Sequence, residues 1–402
     1  MVHWMLGVGC WMLGVLSSPS LRAEDLHQWS LRGVAPFQAK LIAADGLRAT
    51  LLVPDRGKTV IPFALMSAED AAYVQDWRKA NPKAPLIDPE RLAPWPSAAA
   101  AESIDVRMTG DDAASSHYIY ESAHFIIESD LKLPVAVVRE ITAVFEATRE
   151  ALIAIPLGLH LGHESRKYSV LMLSNANDYG HAGGNGGSGG TYNPLTRQML
   201  ILLPNLGIKP GTNGLGLDFQ RNLFVLKHEV THQILGRWQP FLPMWLKEGL
   251  SECLAATPYT RGRYSFQGLD AAMHDYVLKW RTNPNQRDLQ LIPPTQLMAL
   301  DGDQWNAGVA AQSAYPYYDS AALLTYYFLH ADGKGDGADL AAYFDAIRRG
   351  VDPEKAEAEH LLRGRNREIL GADLQNFGRK LGLNLKIAAP VQVRPFEAPH
   401  AK

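Results

Sequence analysis

The chain has 402 residues, 47% of them hydrophobic and 20% charged, so it can bury a substantial core and has room for more than one domain. Its 39 Lys and Arg against 42 Asp and Glu give a formal net charge of -3, and the basic residues are scattered. That balance gives no reason to propose nucleic acid as a partner.

In chain order, Met5 to Leu16 is apolar with small residues, and Ser17 to Ala23 precedes a break expected after Ala23. Residues 1–23 are therefore expected to be a signal peptide, with the protein exported to a periplasmic or extracellular compartment. The apolar run is short for a membrane span, so no stable membrane insertion is expected after its removal. Cys10 would leave with it, and Cys253 alone could form no internal disulfide.

Residues 24–80 alternate in the manner of short strands: Phe37 to Ala43, Arg48 to Val53 and Thr59 to Phe63, with a turn at Asp55-Arg56-Gly57. Ser67 is placed to cap a short helix running through Trp77. Residues 81–115 are rich in proline, alanine and serine and are predicted to be a linker. From 116 to 385 strands lead and helices follow, an α+β pattern. Strands are expected across His117 to Ser129 and at Tyr168 to Leu173 and Gln198 to Leu203. Helices are expected at Leu133 to Ile155, Asp218 to Leu235, Met244 to Ala256, Asp319 to His330, Ala338 to Arg349 and Pro353 to Leu362. Asp352-Pro353 is a good helix start and Gly350 a good stop, while residues 386–402 are expected to be a flexible tail.

The stretch His228-Glu229-Val230-Thr231-His232 lies on the first of the two central helices, which Asp218 can cap at its start and Gly236 at its end. Histidines at i and i+4 share one face, as two ligands of one metal must, with a carboxylate beside them. A hydrolytic zinc site of this kind needs a third protein ligand, and Glu248 in Trp245-Leu246-Lys247-Glu248-Gly249-Leu250-Ser251-Glu252 is the candidate. Glu252 lies one turn further on, where it could accept a hydrogen bond from the far nitrogen of a metal-bound histidine. The competing account is a helix with partly buried, hydrogen-bonded histidines and solvent-facing glutamates.

These two segments together resemble the gluzincin metallopeptidases, most closely the bacterial peptidase-MA-like group. The resemblance implies that His228, His232 and Glu248 bind Zn2+, that Glu229 is the catalytic base, and that Glu252 supports a histidine ligand. It also implies a mixed sheet followed by helices. Three protein ligands leave one coordination position for a water whose pKa falls towards ~7. Glu229 can take its proton and pass it to the leaving amine.

The developing oxyanion needs a hydrogen-bond donor, and Tyr318 is the candidate. The segment Tyr318-Asp319-Ser320-Ala321-Ala322 is similar to the tyrosine-led helix start of gluzincin aminopeptidases, with Ser320 and Ala321 in place of the usual lysine and glycine. Tyr315 and Tyr317 compete for the role, and the whole cluster could instead pack the core. In the resembling enzymes an edge strand before the zinc helix binds extended substrate, and the glycine-rich run Gly180 to Tyr192 would permit close approach there. A mobile surface loop is the other account of that run. The aminopeptidase pattern places a glutamate near this strand, and none occurs between Gly180 and Asn193, which favours an endopeptidase acting on a peptide or protein substrate.

Trp29, the Asp55-Arg56-Gly57-Lys58 turn and Leu65 to Asp70 are similar to the Sla-homology module, a Src-homology-3-like barrel. That likeness implies a small binding or spacer domain ahead of the peptidase-like one. The expected activity is thus that of an exported zinc-dependent metallopeptidase. The alternative is a non-catalytic peptide- or protein-binding protein on a peptidase-like fold.

Overall fold

The computed structural model describes residues 26–387 apart from 32–34, 45–47, 55–56, 64–65, 82–93, 102, 160–166, 185–188, 194–195, 212–213, 218–222, 280–287, 312 and 349–350. The expected signal peptide, Gly350 and positions 388–402 of the expected tail lie outside the described residues. The chain divides into two units, Met1–Asp88 and Pro89–Lys402.

The first unit is an antiparallel meander of β1 (His27–Trp29), β2 (Phe37–Ala44), β3 (Arg48–Val53) and β4 (Gly57–Pro62), followed by α1 (Ala68–Ala80). An isolated bridge between Leu31 and Met66 joins the chain just after β1 to the chain just after β4. Trp29, Leu41, Leu51, Ile61 and Val74 form its core, and the Trp29 indole donates to the Ala39 carbonyl at 3.0 Å. Ser67 caps α1 by accepting from the Asp70 amide at 3.0 Å. The buried Asp70 carboxylate in turn accepts from Ser30 N at 2.8 Å and lies 2.9 Å from His27 Nε2, which ties α1 to the end of β1.

The second unit is α+β. Its strands are β5 (Ala98–Ala100), β6 (Arg107–Asp112), β7 (His117–Glu121), β8 (Phe125–Ser129), β9 (Tyr168–Leu173), β10 (Gly190–Asn193) and β11 (Gln198–Leu202), with α2 (Val135–Ala154) and α3 (Ala176–His181) between them. Six of these form one mixed sheet in the order β10-β11-β9-β8-β7-β6. Its centre, β8, β9 and β11, is parallel, because the connection from β8 to β9 crosses over through α2. β10 pairs antiparallel with β11 and forms one edge.

A β12 (Ile208–Gly211) and β13 (Gly214–Leu217) hairpin then leads into α4 (Leu223–Ile234) and α5 (Met244–Ala256). Next come β14 (Tyr259–Thr260), β15 (Arg263–Ser265), α6 (Leu269–Leu278), β16 (Asp288–Leu291), α7 (Pro294–Leu297) and α8 (Gly302–Ala311). The chain ends with α9 (Ala314–His330), α10 (Ala338–Arg348), α11 (Pro353–Ala356), α12 (Arg367–Lys380) and β17 (Asn384–Ile387), which runs parallel to β16. Among the described residues no helix is long and apolar enough to cross a membrane.

Several elements depart from the sequence expectation. The stretch 81–115 is not simply a linker, since β5 pairs with β15 and β6 is the far edge of the large sheet. Three consecutive alanines and a polar, mostly exposed edge strand carry little strand signal of their own, so their partners impose the conformation. α9 begins at Ala314, with Pro316 tolerated in its first turn, so Tyr318 lies inside the helix instead of opening it. The expected helix Pro353 to Leu362 divides into α11, capped by Asp352, and a π-helical turn from Glu357 to Leu362. Gly236 is not a left-handed cap, because α4 runs into a tight 3-10 turn, Leu235–Arg237. Positions 386–387 of the expected tail belong to β17.

α5 and α9 touch through backbone at Gly249, where an added Cβ would stand 2.4 Å from the Ala321 carbonyl and 2.0 Å from Thr325 Oγ1. No rotamer change relieves a clash with a carbonyl, so the helices must move apart. Gly249→Ala is therefore expected to destabilise the protein by about 3 kcal/mol, read from urea denaturation.

Candidate metal centre

α4 buries Leu226, Val230 and Ile234 on one side, as their four-residue spacing requires. The Thr231 hydroxyl donates back to the Lys227 carbonyl at 2.7 Å, and Gln233 donates to the Ser169 carbonyl of β9 at 2.6 Å. The helix is thereby fixed to the sheet, with His228 and His232 turned towards α5. A turn through Pro240 and Pro243 reverses the chain, and Pro243 opens α5. This brings the buried Glu248 opposite both histidines.

Three donor atoms converge. His228 Nε2 and His232 Nε2 are 3.0 Å apart, and Glu248 Oε2 lies 3.3 Å from the first and 3.4 Å from the second. A tetrahedral cation with bonds of about 2.0–2.1 Å separates its ligand atoms by roughly 3.3 Å, so these residues fit a small divalent cation. Burial would raise the Glu248 carboxyl, but His232 and His228 outweigh it and hold the group well below the usual carboxylate range. Burial would lower His228, yet Glu248 and Glu252 together keep it well above its ordinary value. Each histidine is gripped at its far nitrogen. His228 Nδ1 lies 2.9 Å from Glu252 Oε1, whose other oxygen accepts from Tyr276 Oη at 2.5 Å. His232 Nδ1 lies 3.3 Å from Ser251 Oγ and 3.1 Å from the Gln239 amide, while the Ser251 hydroxyl donates to the Lys247 carbonyl at 3.1 Å.

Glu229 is beside this cluster but not in it. One oxygen, Oε2, accepts from the Tyr192 backbone N–H of β10 at 3.1 Å. Burial pushes its carboxyl up, the two histidines pull it down, and the net shift is upward. The approach of α4 to β10 depends on Gly190, where an added Cβ would meet Glu229 Cγ at 3.0 Å. Here the glycine makes room for the carboxylate side chain itself; positions 185–188 of the glycine-rich run lie outside the described residues. Gly236 has a similar task, since a Cβ there would stand 2.5 Å from Tyr192 Oη.

Of the three candidate tyrosines, Tyr318 lies against the cluster, its ring 5.9 Å from that of His228 at 67°. Burial and the Glu248 charge push its phenol up, so it stays protonated. Tyr317 is buried against Trp305 at 5.4 Å, and Tyr315 is 41% exposed. Ser251, Gln239 and Tyr276 were not anticipated. Ser251 could have been found from its position three residues after Glu248; Gln239 follows the helix turn, and Tyr276 reaches in from α6, a helix without a strong periodic signal.

No protein-family model, curated protein or solved structure matches the chain. Its geometry offers two imidazoles and a carboxylate that could hold a cation, next to a carboxyl group of raised pKa and a protonated phenol.

Lys227 joins the two helices that carry the donors. Its buried amine donates to the carbonyls of Ala255 at 2.7 Å and Thr257 at 2.5 Å, at the end of α5. Burial pushes this amine well below its ordinary value. Lys227→Met keeps the bulk but leaves those buried carbonyls short of a donor, and is expected to cost about 3 kcal/mol in denaturation measurements.

Proposed function

We propose that this protein is a zinc-dependent metallopeptidase of the gluzincin kind, with His228, His232 and Glu248 as the ligands and Glu229 as the base. The observation that carries the reading is the convergence of a buried carboxylate and two half-buried imidazoles at spacings suited to tetrahedral zinc, with a second, non-converging carboxylate alongside. When bound, zinc supplies Lewis acidity, making water acidic near neutral pH and polarising a carbonyl.

The remaining steps belong to the chain's own side chains. Tyr192 N–H holds Glu229 Oε2, which leaves Oε1 to receive a proton from the attacking water and deliver it to the departing amine. The raised pKa of Glu229 suits both halves of that transfer. The phenol of Tyr318, kept protonated by burial, donates to the carbonyl oxygen as negative charge develops there. β10 is an edge strand next to Glu229, and an extended substrate backbone pairing with it would lie along the site. No glutamate occurs between Gly180 and Asn193 to hold a free substrate amine, which supports internal cleavage of peptides over removal of N-terminal residues. The apolar, small-residue N-terminus supports export of the enzyme. The first unit, with its likeness to the Sla-homology module, would serve as an accessory domain.

Glu229→Gln tests the assignment. The variant is expected to keep zinc while peptide cleavage, followed by digestion of a peptide library, falls by about 10²–10⁴-fold. Undiminished cleavage would remove Glu229 from the mechanism. A zinc-loaded native chain that binds peptides saturably but cleaves none would support the non-catalytic binding protein instead.

A further inference from the structure

We infer that Tyr276 is a positioning residue for His228, acting through Glu252, and that this pair sets how tightly the site holds its metal. The inference rests on the proposed metal site but concerns a residue on a separate helix, α6.

Tyr276 is buried, and its ring is held on the first turn of α4 by edge-to-face packing with Phe224, 5.3 Å away at 71°. Its hydroxyl donates to Glu252 Oε2 at 2.5 Å, and Glu252 Oε1 lies 2.9 Å from His228 Nδ1. Burial first, and then the Glu252 charge, push the phenol well above its ordinary value, so it remains a donor. A glutamate side chain on a helix has several rotamers, and freezing one is entropically unfavourable. With one oxygen engaged by Tyr276, the other is committed to His228 Nδ1–H. Protonation at Nδ1 leaves the lone pair on Nε2, the atom that faces His232 and Glu248. Tyr276 therefore packs against α4, bonds to α5, and through that bond selects the tautomer of a side chain back on α4. Among the described residues, the far nitrogen of His232 meets the neutral Ser251 and Gln239 instead of a carboxylate.

The test compares zinc dissociation constants, by competition with a chromophoric chelator, and visible spectra of the cobalt-substituted protein. Five chains are measured: native, Tyr276→Phe, Glu252→Ala, the double variant and a Tyr326→Phe control. Partners that orient a metal ligand typically contribute about 10–100-fold in affinity, so Tyr276→Phe is expected near the lower end and Glu252→Ala near the upper. Because Tyr276 acts through Glu252, the double variant should bind no more weakly than Glu252→Ala alone. Tyr326→Phe is the control: it removes a comparably buried phenol-to-carboxylate bond, to Asp270 at 2.7 Å, and should leave zinc affinity unchanged. Unchanged affinity and cobalt spectrum in Tyr276→Phe, or additive losses in the double variant, would overturn the inference while leaving the metal site in place. Should Tyr276→Phe not fold, an affinity in Glu252→Ala equal to native would overturn it equally. A native chain with no zinc affinity would contradict the functional reading itself, a different result from a native affinity that the variant retains.

Discussion

Two imidazoles and a carboxylate face one another between α4 and α5, with donor atoms 3.0 to 3.4 Å apart. Groups so close, and so largely withdrawn from solvent, are stable only when their charges are matched and the helices cannot slide. Much of the surrounding structure answers that constraint. Lys227 ties the end of α5 to α4, and Gly249 lets α9 press directly on the far side of α5. Gln233 fastens α4 to β9, and Gly190 admits α4 to the sheet edge. Each contact is local, but together they leave the three donors little freedom to separate.

The same packing separates two kinds of carboxylate. Glu248 lies between the histidines and is held ionised by them, whereas Glu229, one residue from His228, is turned to the sheet edge and pushed towards protonation. A site that both binds a cation and transfers protons needs that division, since a carboxylate committed to a metal makes a poor base. In the proposed reaction the β10 edge is the element shared by substrate and base. The N–H of Tyr192 orients Glu229, and the edge itself is where an extended peptide would pair.

How much of this was legible in the sequence follows from the range of the interactions. The pairing of His228 with His232 is a matter of helical period, and α5 was readable to both its ends because prolines bracket it. Ser67 and Asp352 cap the helices they were expected to cap. β5 and β6 were not legible, because an alanine triplet and an exposed polar strand acquire their shape from β15 and β7. Tyr276 is 24 residues from Glu252, and nothing near it in the chain hints at the carboxylate it bonds. The glycine run was expected to admit an extended substrate, whereas the approach that Gly190 permits within the chain is that of the Glu229 side chain, a contact between distant segments that no spacing rule encodes.

The proposed chemistry depends on whether the three donors hold a metal, and the most direct measurement is the metal content of the chain purified without chelators, by mass spectrometry beside a His228→Ala variant. About one zinc per native chain is expected, with a loss of zinc in the variant, since two remaining protein ligands cannot hold the ion tightly. A native chain that is well folded yet carries no metal, even after zinc is added, would contradict the proposed chemistry.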